Sequence, residues 1–360
     1  MKNNSKNTKH PGEYLLNKIK SLDMSQKELA IRTGVSEKHI STVISGEKAI
    51  SPTFARKLSY ALGEDSQYWL NLQYEYDKYL IEYEEENGIN AAEIAILDNL
   101  KEIENYFLKT KVMHNDCGKP QKVMQLRSIL RVSNLCAIPK ITYNAAYRAQ
   151  VKSNTKIDQY VLFAWQRLCE IETDNICVEN DFNRQHLKDR IVDIKNLLFE
   201  ENPNIMIKKL RQIFKECGVA FTVVHHFRGA PVQGFIKKTE NNKIILCLTI
   251  RGKKADRFWF SLFHEIGHLL NGDFAARFVD FDSVKSDIEE KADIFARDTL
   301  IDPDLYKKFI SSGKYSDIEY IKRFSEMTGV PYWITIGRLH NDEWLDWSYW
   351  ANEAPSYIWK

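Results

Sequence analysis

Residues 256 to 272 read DRFWFSLFHEIGHLLNG, and no other stretch restricts the fold so tightly. Phe258, Trp259, Leu262, Phe263, Ile266, Leu269 and Leu270 recur with helical spacing around most of a cylinder, so this helix belongs in a core. The same helix carries His264, Glu265 and His268, and each buried polar group left unpaired costs about 1–3 kcal/mol. A fold that buries this segment must therefore bring partners to three polar side chains. His264 and His268 lie four residues apart and project from one face, one turn above the other. That spacing lets both imidazoles reach a single zinc ion, with Glu265 beside them. Zinc lowers the pKa of a bound water to about 7, and a nearby carboxylate takes the proton as the hydroxide attacks a carbonyl. Glu265 is thus the candidate general base, and His264 and His268 are candidate metal ligands.

A catalytic zinc site keeps three protein ligands and one open position. Downstream, SDIEEKADIFARDTLI (286 to 301) has the spacing of a helix starting near Ser286. Glu289 and Asp293 stand four residues apart on one face. Glu289 is a candidate third ligand, with Glu290 its rival, and Asp293 is placed to accept the outer N–H of a ligating histidine. Upstream, GVAFTVVHHF (218 to 227) reads as a strand, and GFIKKTENNKIILCLTI (234 to 250) as a hairpin turning at Glu240-Asn241-Asn242. Strands backed by helices make this region α+β.

The 360 residues suffice for two or three domains, and 44% hydrophobic with 28% charged residues describe a globular protein rather than a disordered one. No run approaches the roughly 18 apolar residues of a membrane span, and MKNNSKNTKHPGEYLL lacks the apolar region of a signal peptide. The expectation is a cytoplasmic protein with no membrane partner. Six cysteines without a CxxC pair read as reduced core thiols. His114 and Cys117 in MHNDCG have metal-like spacing but no second pair, which favours a loop.

Net charge is only +2, but its distribution is uneven. Residues 1 to 72 hold eleven Lys/Arg against seven Asp/Glu, whereas YEYDKYLIEYEEENG (74 to 88) carries six acids and one Lys, which puts a boundary near Gly88. Within the basic part, Ser25 is a suitable N-cap for a helix burying Leu29 and Ala30, and Gly34 can take the left-handed conformation that ends it. A second helix starts at Ser36, spaces Ile40, Val43 and Ile44 at i, i+3, i+4, and stops at Gly46. Two short helices joined by a glycine turn form a helix-turn-helix. Its second helix offers Glu37, Lys38, His39, Ser41 and Thr42 to the base edges of a DNA major groove, and Ser36 at its start is a further candidate DNA contact. Residues 91 to 202 show further amphipathic helices, such as AAEIAILDNLKEIENYFLKT and IDQYVLFAWQRLCEIE, and predict a helical connecting domain without chemistry of its own.

Residues 10 to 77, from His10-Pro11-Gly12-Glu13 through Trp69-Leu70-Asn71-Leu72-Gln73, resemble the HigA-type branch of the XRE (lambda-repressor-like) family. The resemblance implies that Gln26 and Ser45 hold phosphates, that Glu37, Lys38 and Thr42 face bases, and that a homodimer binds an inverted-repeat operator in double-stranded DNA. APVQGF, LTIRGKKADRFWFSLFHEIGHLLNG, EEKADIFARDTLI and VPYWITIGRLH, all within 203 to 340, resemble the ImmA/IrrE (DUF955) metallopeptidases. That family's second helix commonly reads Glu-x-Glu-Ala-Asn/Asp-x-Phe-Ala. Here Lys291 replaces the second acid, which favours Glu289 as the ligand. The resemblance implies a zincin-like fold, zinc (with manganese the alternative), peptide hydrolysis, and Arg338 as a candidate for stabilising the oxyanion.

Three domains are therefore expected: a helix-turn-helix domain at 1–86, a helical connecting domain at 91–202 and an α+β metallopeptidase domain at 203–360. The leading functional expectation is a DNA-binding regulator that cleaves a regulatory, repressor-like protein. The other is an antitoxin-like repressor whose metal domain is structural or ligand-sensing.

Overall fold

The computed structural model describes residues 9–115, 117–141, 158–230, 232, 234–239, 242–249, 254–273 and 285–357. Two compact units are present, one of residues 1–91 with 117–124, the other of residues 92–116 with 125–360. Among the described residues no helix is long and apolar enough to cross a membrane.

The first unit is built on α1 (Pro11–Ser21), α2 (Gln26–Thr33), α3 (Glu37–Ile44), α4 (Pro52–Leu62) and α5 (Ser66–Gly88). Local chemistry sets each start and stop. His10 caps α1 by accepting from Gly12 N, and Pro11 occupies the first turn, where its missing N–H costs nothing. Gly12 is required by packing, because a Cβ there would lie 2.1 Å from the carbonyl oxygen of Val43 in α3. Leu15, Ile19, Leu29, Ile40, Val43, Phe54, Leu58 and Trp69 form the core. Gln73 is buried because its Oε1 accepts from the backbone N–H of Ile50 at 2.8 Å, tying α5 to the segment before α4.

The second unit contains the helices α6 (Ala91–Lys109), α7 (Lys119–Leu130, entering from Gln125), α8 (Gln159–Asp174), α9 (Arg184–Asp189), α10 (Ile191–Asn196) and α11 (Pro203–Glu216). They lead into β1 (Val219–Val224), β2 (Gly234–Lys238) and β3 (Ile244–Thr249), followed by α12 (Ala255–Asn271), α13 (Lys285–Leu300), α14 (Pro303–Ser311), α15 (Ile318–Thr328) and α16 (Tyr332–Asn341). The sheet order is β1-β3-β2, with β1 parallel and β2 antiparallel to β3. The expected hairpin is present, with Asn242 at a φ of 60°, although Glu240 and Asn241 of its turn lie outside the described residues. Every residue of β3 is buried, as a central strand covered on both faces must be.

One cover is α8. Lys243 Nζ donates to the carbonyl of Thr173 at 2.6 Å, Cys247 Sγ approaches the carbonyl of Cys169 at 3.8 Å, and Trp165 meets Phe235 edge-on. The segment 91–202 therefore does not stand apart as a separate compact unit. Its α8 buries Val161, Leu162, Ala164, Trp165, Leu168 and Cys169, too broad an apolar surface for a solvated linker helix. The cysteines form no disulfide, but only Cys169, Cys217 and Cys247 are buried. Cys117 and Cys136 are half-buried and Cys177 is exposed, so the core-thiol expectation holds for half of them.

On its other flank, α12 is the centre of the largest core, as its sequence demands. Lys254 gives it no side-chain cap, but Ala255 N donates to the carbonyl of Pro355 at 2.9 Å, so the C-terminal segment supplies the missing acceptor. Trp259 Nε1 donates to Tyr357 Oη at 2.9 Å and completes that closure. Against α13, Gly267 allows a close approach, since a Cβ there would lie 3.2 Å from Ala292 Cα.

Arg338 on α16 departs from the oxyanion expectation. Its guanidinium is buried, Nη1 donates to the carbonyls of Arg297 and Ile301 at 2.9 Å each, and its plane lies 3.8 Å from the ring centre of Tyr306. Asp298 and Asp342 add charge partners at 3.6 and 3.4 Å. These groups claim its donors at the C-terminal end of α13, away from Glu289 in that helix's first turns. Arg338 is a strut for the helix end. Replacing Arg338 with Met should cost about 3 kcal/mol, because two carbonyls and two carboxylates each lose one of their partners, and should lower the thermal midpoint while leaving metal content intact. Unchanged stability with lost catalysis would restore the oxyanion role.

Candidate metal centre and DNA-reading helix

In the first unit, Ser25 Oγ accepts from Glu28 N at 3.1 Å and starts α2, and Gly34 at φ 62° ends it. Ser36 Oγ accepts from His39 N at 3.1 Å, so its hydroxyl is committed to capping α3. Along α3, Ile40 and Val43 are buried, while Glu37, Lys38 and Ser41 are exposed on the opposite side, with Ser45 exposed at its end. Gln26 and Thr42 are half-buried, and Thr42 Oγ1 donates to the carbonyl of His39 at 3.0 Å. Ser45 Oγ donates to the carbonyl of Thr42 at 3.2 Å.

His39 is the exception among the expected base-facing residues. Its ring packs edge-on against Phe54 of α4, with centroids 4.8 Å apart, so it is turned toward the neighbouring helix. Partial burial, reinforced by Lys48 and Lys57, lowers its pKa and keeps it neutral. Those two lysines are a feature that helical spacing alone did not single out. They place positive charge beside α3, in a position to offset Glu37 in front of an anionic backbone.

In the second unit, α12 and α13 bring three ligand-type atoms together. His264 Nε2 and His268 Nε2 lie 2.9 Å apart, and Glu289 Oε2 lies 3.1 Å from the first and 3.7 Å from the second. Among the described residues this is the group able to hold a metal ion, and His114 and Cys117 are not part of it. Glu290 is exposed, so Glu289 is the acid that faces the imidazoles.

The outer ring nitrogens settle how the inner ones are presented. His264 Nδ1 lies 2.6 Å from Asp293 Oδ1, and His268 Nδ1 lies 2.8 Å from Asp273 Oδ2. A carboxylate only accepts, so each Nδ1 carries the hydrogen, and a ring that gives up its second proton turns an Nε2 lone pair inward. Two such lone pairs and a carboxylate oxygen converging within 4.8 Å repel one another unless a cation lies between them. Burial works against a charged His264, but Asp293, Glu289 and Glu265 outweigh it and raise its pKa to about 9, which is the preference of this cluster for positive charge expressed as a proton. Two imidazole nitrogens and one carboxylate oxygen are a suitable donor set for zinc.

Glu265, only 4% exposed, is set against β2. A Cβ on Gly234 would lie 2.1 Å from Glu265 Oε1, so only glycine leaves room for that carboxylate. Neither Asp273 nor Gly234 figures among the residues singled out from spacing. Gly234 does lie in APVQGF, and Asp273 directly follows the Gly272 that ends α12 at φ 81°.

Comparison with known proteins locates the first unit. The helix-turn-helix family pattern matches residues 15–69. The HTH-type transcriptional regulator YddM of Escherichia coli is 33% identical over 67 residues, a match covering 19% of this chain and 71% of that protein. Virulence-associated protein A' of Dichelobacter nodosus is 36% identical over 73 residues, 20% of this chain and 64% of that protein. Among solved structures, an addiction module antidote protein of a HigA family from Coxiella burnetii is 27% identical, with a TM-score of 0.22, and the match covers 23% of this chain and 96% of that one. The helix-turn-helix match falls on the DNA-reading unit. Through its N-terminal domain the chain belongs to the helix-turn-helix transcriptional regulators of XRE type.

Proposed function

We propose that this chain is a DNA-binding regulator whose C-terminal unit is a zinc-dependent endopeptidase of ImmA/IrrE type, acting on a regulatory, repressor-like protein. The observation that carries the reading is the pair of inward Nε2 lone pairs with Glu289 opposite them, beside a buried carboxylate, Glu265, that strand β2 leaves room for. His264, His268 and Glu289 would hold the metal. When bound, zinc supplies Lewis acidity for water activation and carbonyl polarisation. Glu265 accepts the proton of the attacking water and returns it to the departing amine of the peptide. Asp293 holds the ring of His264 so that its Nε2 stays directed at the centre. The apolar residues of α12 limit water around these groups and strengthen each charge interaction.

In the first unit, Glu37, Lys38 and Ser41, with Thr42 at the margin, would meet base edges, and Gln26, Ser45, Lys48 and Lys57 would meet phosphates. A homodimer on an inverted repeat would follow the two-fold logic of such domains.

A second reading draws on the HigA-type resemblance of residues 10–77. In it the chain is an antitoxin-like repressor, and the metal serves structure or sensing. Glu265 separates the two, because a structural metal has no use for a general base.

The purified chain should hold one zinc ion, lost in His264→Ala. Glu265→Gln should keep the metal and lose at least about 100-fold in cleavage of proteins encoded beside it; full cleavage by that variant would leave the repressor reading. Gly234→Ala should keep the metal and also lose cleavage by displacing Glu265, which metal analysis and the same assay would read together. In gel-shift titrations, Lys38→Ala with Thr42→Ala should weaken operator binding by about tenfold or more and flatten its salt dependence by about one unit of slope for the lost lysine. Unaltered binding would leave the first unit a dimerisation module.

A further inference from the structure

The two imidazoles are not held in the same way. His264 is paired with Asp293, a residue on the facing helix whose side chain is 50% exposed. His268, at 2% exposure, is paired with Asp273, whose side chain is 15% exposed and which lies in the same stretch of chain, five residues on. An i, i+5 pair does not meet on a continuous helix, where neighbours on one face are three or four residues apart. The contact exists because α12 stops at Gly272, whose φ of 81° turns the chain back and brings Asp273 beside the helix it has just left. That backbone conformation is one that glycine adopts without strain.

We propose that Asp273 is the positioning residue for His268 in the metal centre, fixing it as the Nδ1–H tautomer with its Nε2 lone pair inward. The proposal rests on the reading of His264, His268 and Glu289 as metal ligands. A neutral imidazole carries one ring hydrogen, and where it resides decides which nitrogen can ligate. Asp273 Oδ2, at 2.8 Å from Nδ1, draws the hydrogen outward. Its charge also makes the ring a stronger donor. Desolvation makes the hold firmer than that of Asp293, because a charge partner shielded from water interacts more strongly. The helix stop and the metal ligand are thus one device: the glycine that ends α12 delivers the acid that orients its last histidine.

Zinc titrations of the full chain in competition with a chromophoric chelator test this, alongside ¹⁵N–¹H correlation spectra of the imidazoles in the metal-free protein. Asp273→Asn retains an acceptor without the charge, and Asp273→Leu removes both. Zinc affinity should fall about 10-fold in the first and nearer 100-fold in the second. The Nδ1–H signature of His268 should weaken in the same order. Glu290→Gln removes a charge from the exposed neighbour of Glu289 and should change affinity less than about twofold, which separates orientation from net charge. Wild-type affinity in both Asp273 variants, or an unchanged tautomer in Asp273→Leu, overturns the proposal while the metal site stands. A wild-type chain that binds no zinc overturns the ligand reading itself. Should Asp273→Leu fail to fold, the Asn variant decides by the same two readouts.

Discussion

The second unit is organised by one requirement, the burial of two imidazoles and a carboxylate on an otherwise apolar helix. Each of those groups left unpaired would cost about 1–3 kcal/mol, a large fraction of a domain's net stability, so the fold supplies partners. Gly267 lets α13 come close enough for Asp293 and Glu289 to reach the rings. Gly272 turns Asp273 back onto His268, and Gly234 opens a place on β2 for Glu265. Three glycines, each costly to order on its own, are explained by the polar atoms they admit. The C-terminal segment then caps the uncapped start of α12, and Arg338 closes the end of α13, so both helices that carry the centre are anchored outside it.

Features set by neighbouring residues were legible in the sequence. Ser25, Gly34 and Ser36 act within a turn of their own position, and the boundaries of α2 and α3 fall where their hydroxyls and backbone freedom require. The i, i+4 pairs His264/His268 and Glu289/Asp293 were legible for the same reason, since a helix fixes which residues share a face. What escaped depended on the return of the chain through space. Asp273 reaches His268 only because of a left-handed turn, and an acid after a glycine is common in ordinary helix stops. The role of α8 as a lid on the sheet is invisible until β3 is known to be buried on both sides. His39 has the polarity of a groove reader, but Phe54 draws it toward α4. Arg338 illustrates the same limit: its position in a family-like motif is equally compatible with catalysis and with holding a helix end, and only its bonded partners decide.

Membership in the helix-turn-helix regulators rests on the first unit. Joining the two within one chain gives the functional reading its direction. On the proposed reading, a hydrolytic centre carried by a DNA-bound regulator would be delivered to a promoter, where the proteins that control that promoter are concentrated. On that reading, substrates would be selected by location as much as by the cleft.

Whether His264, His268 and Glu289 share one cation is the point on which the account turns. Anomalous diffraction recorded on either side of the zinc absorption edge, from crystals grown with zinc, tests it most directly. The account predicts a single site bonded to His264 Nε2, His268 Nε2 and a carboxylate oxygen of Glu289, with nitrogen distances of about 2.0–2.1 Å. Zinc absent from these three residues, or bound through either Nδ1 with Asp273 or Asp293 displaced, would contradict it.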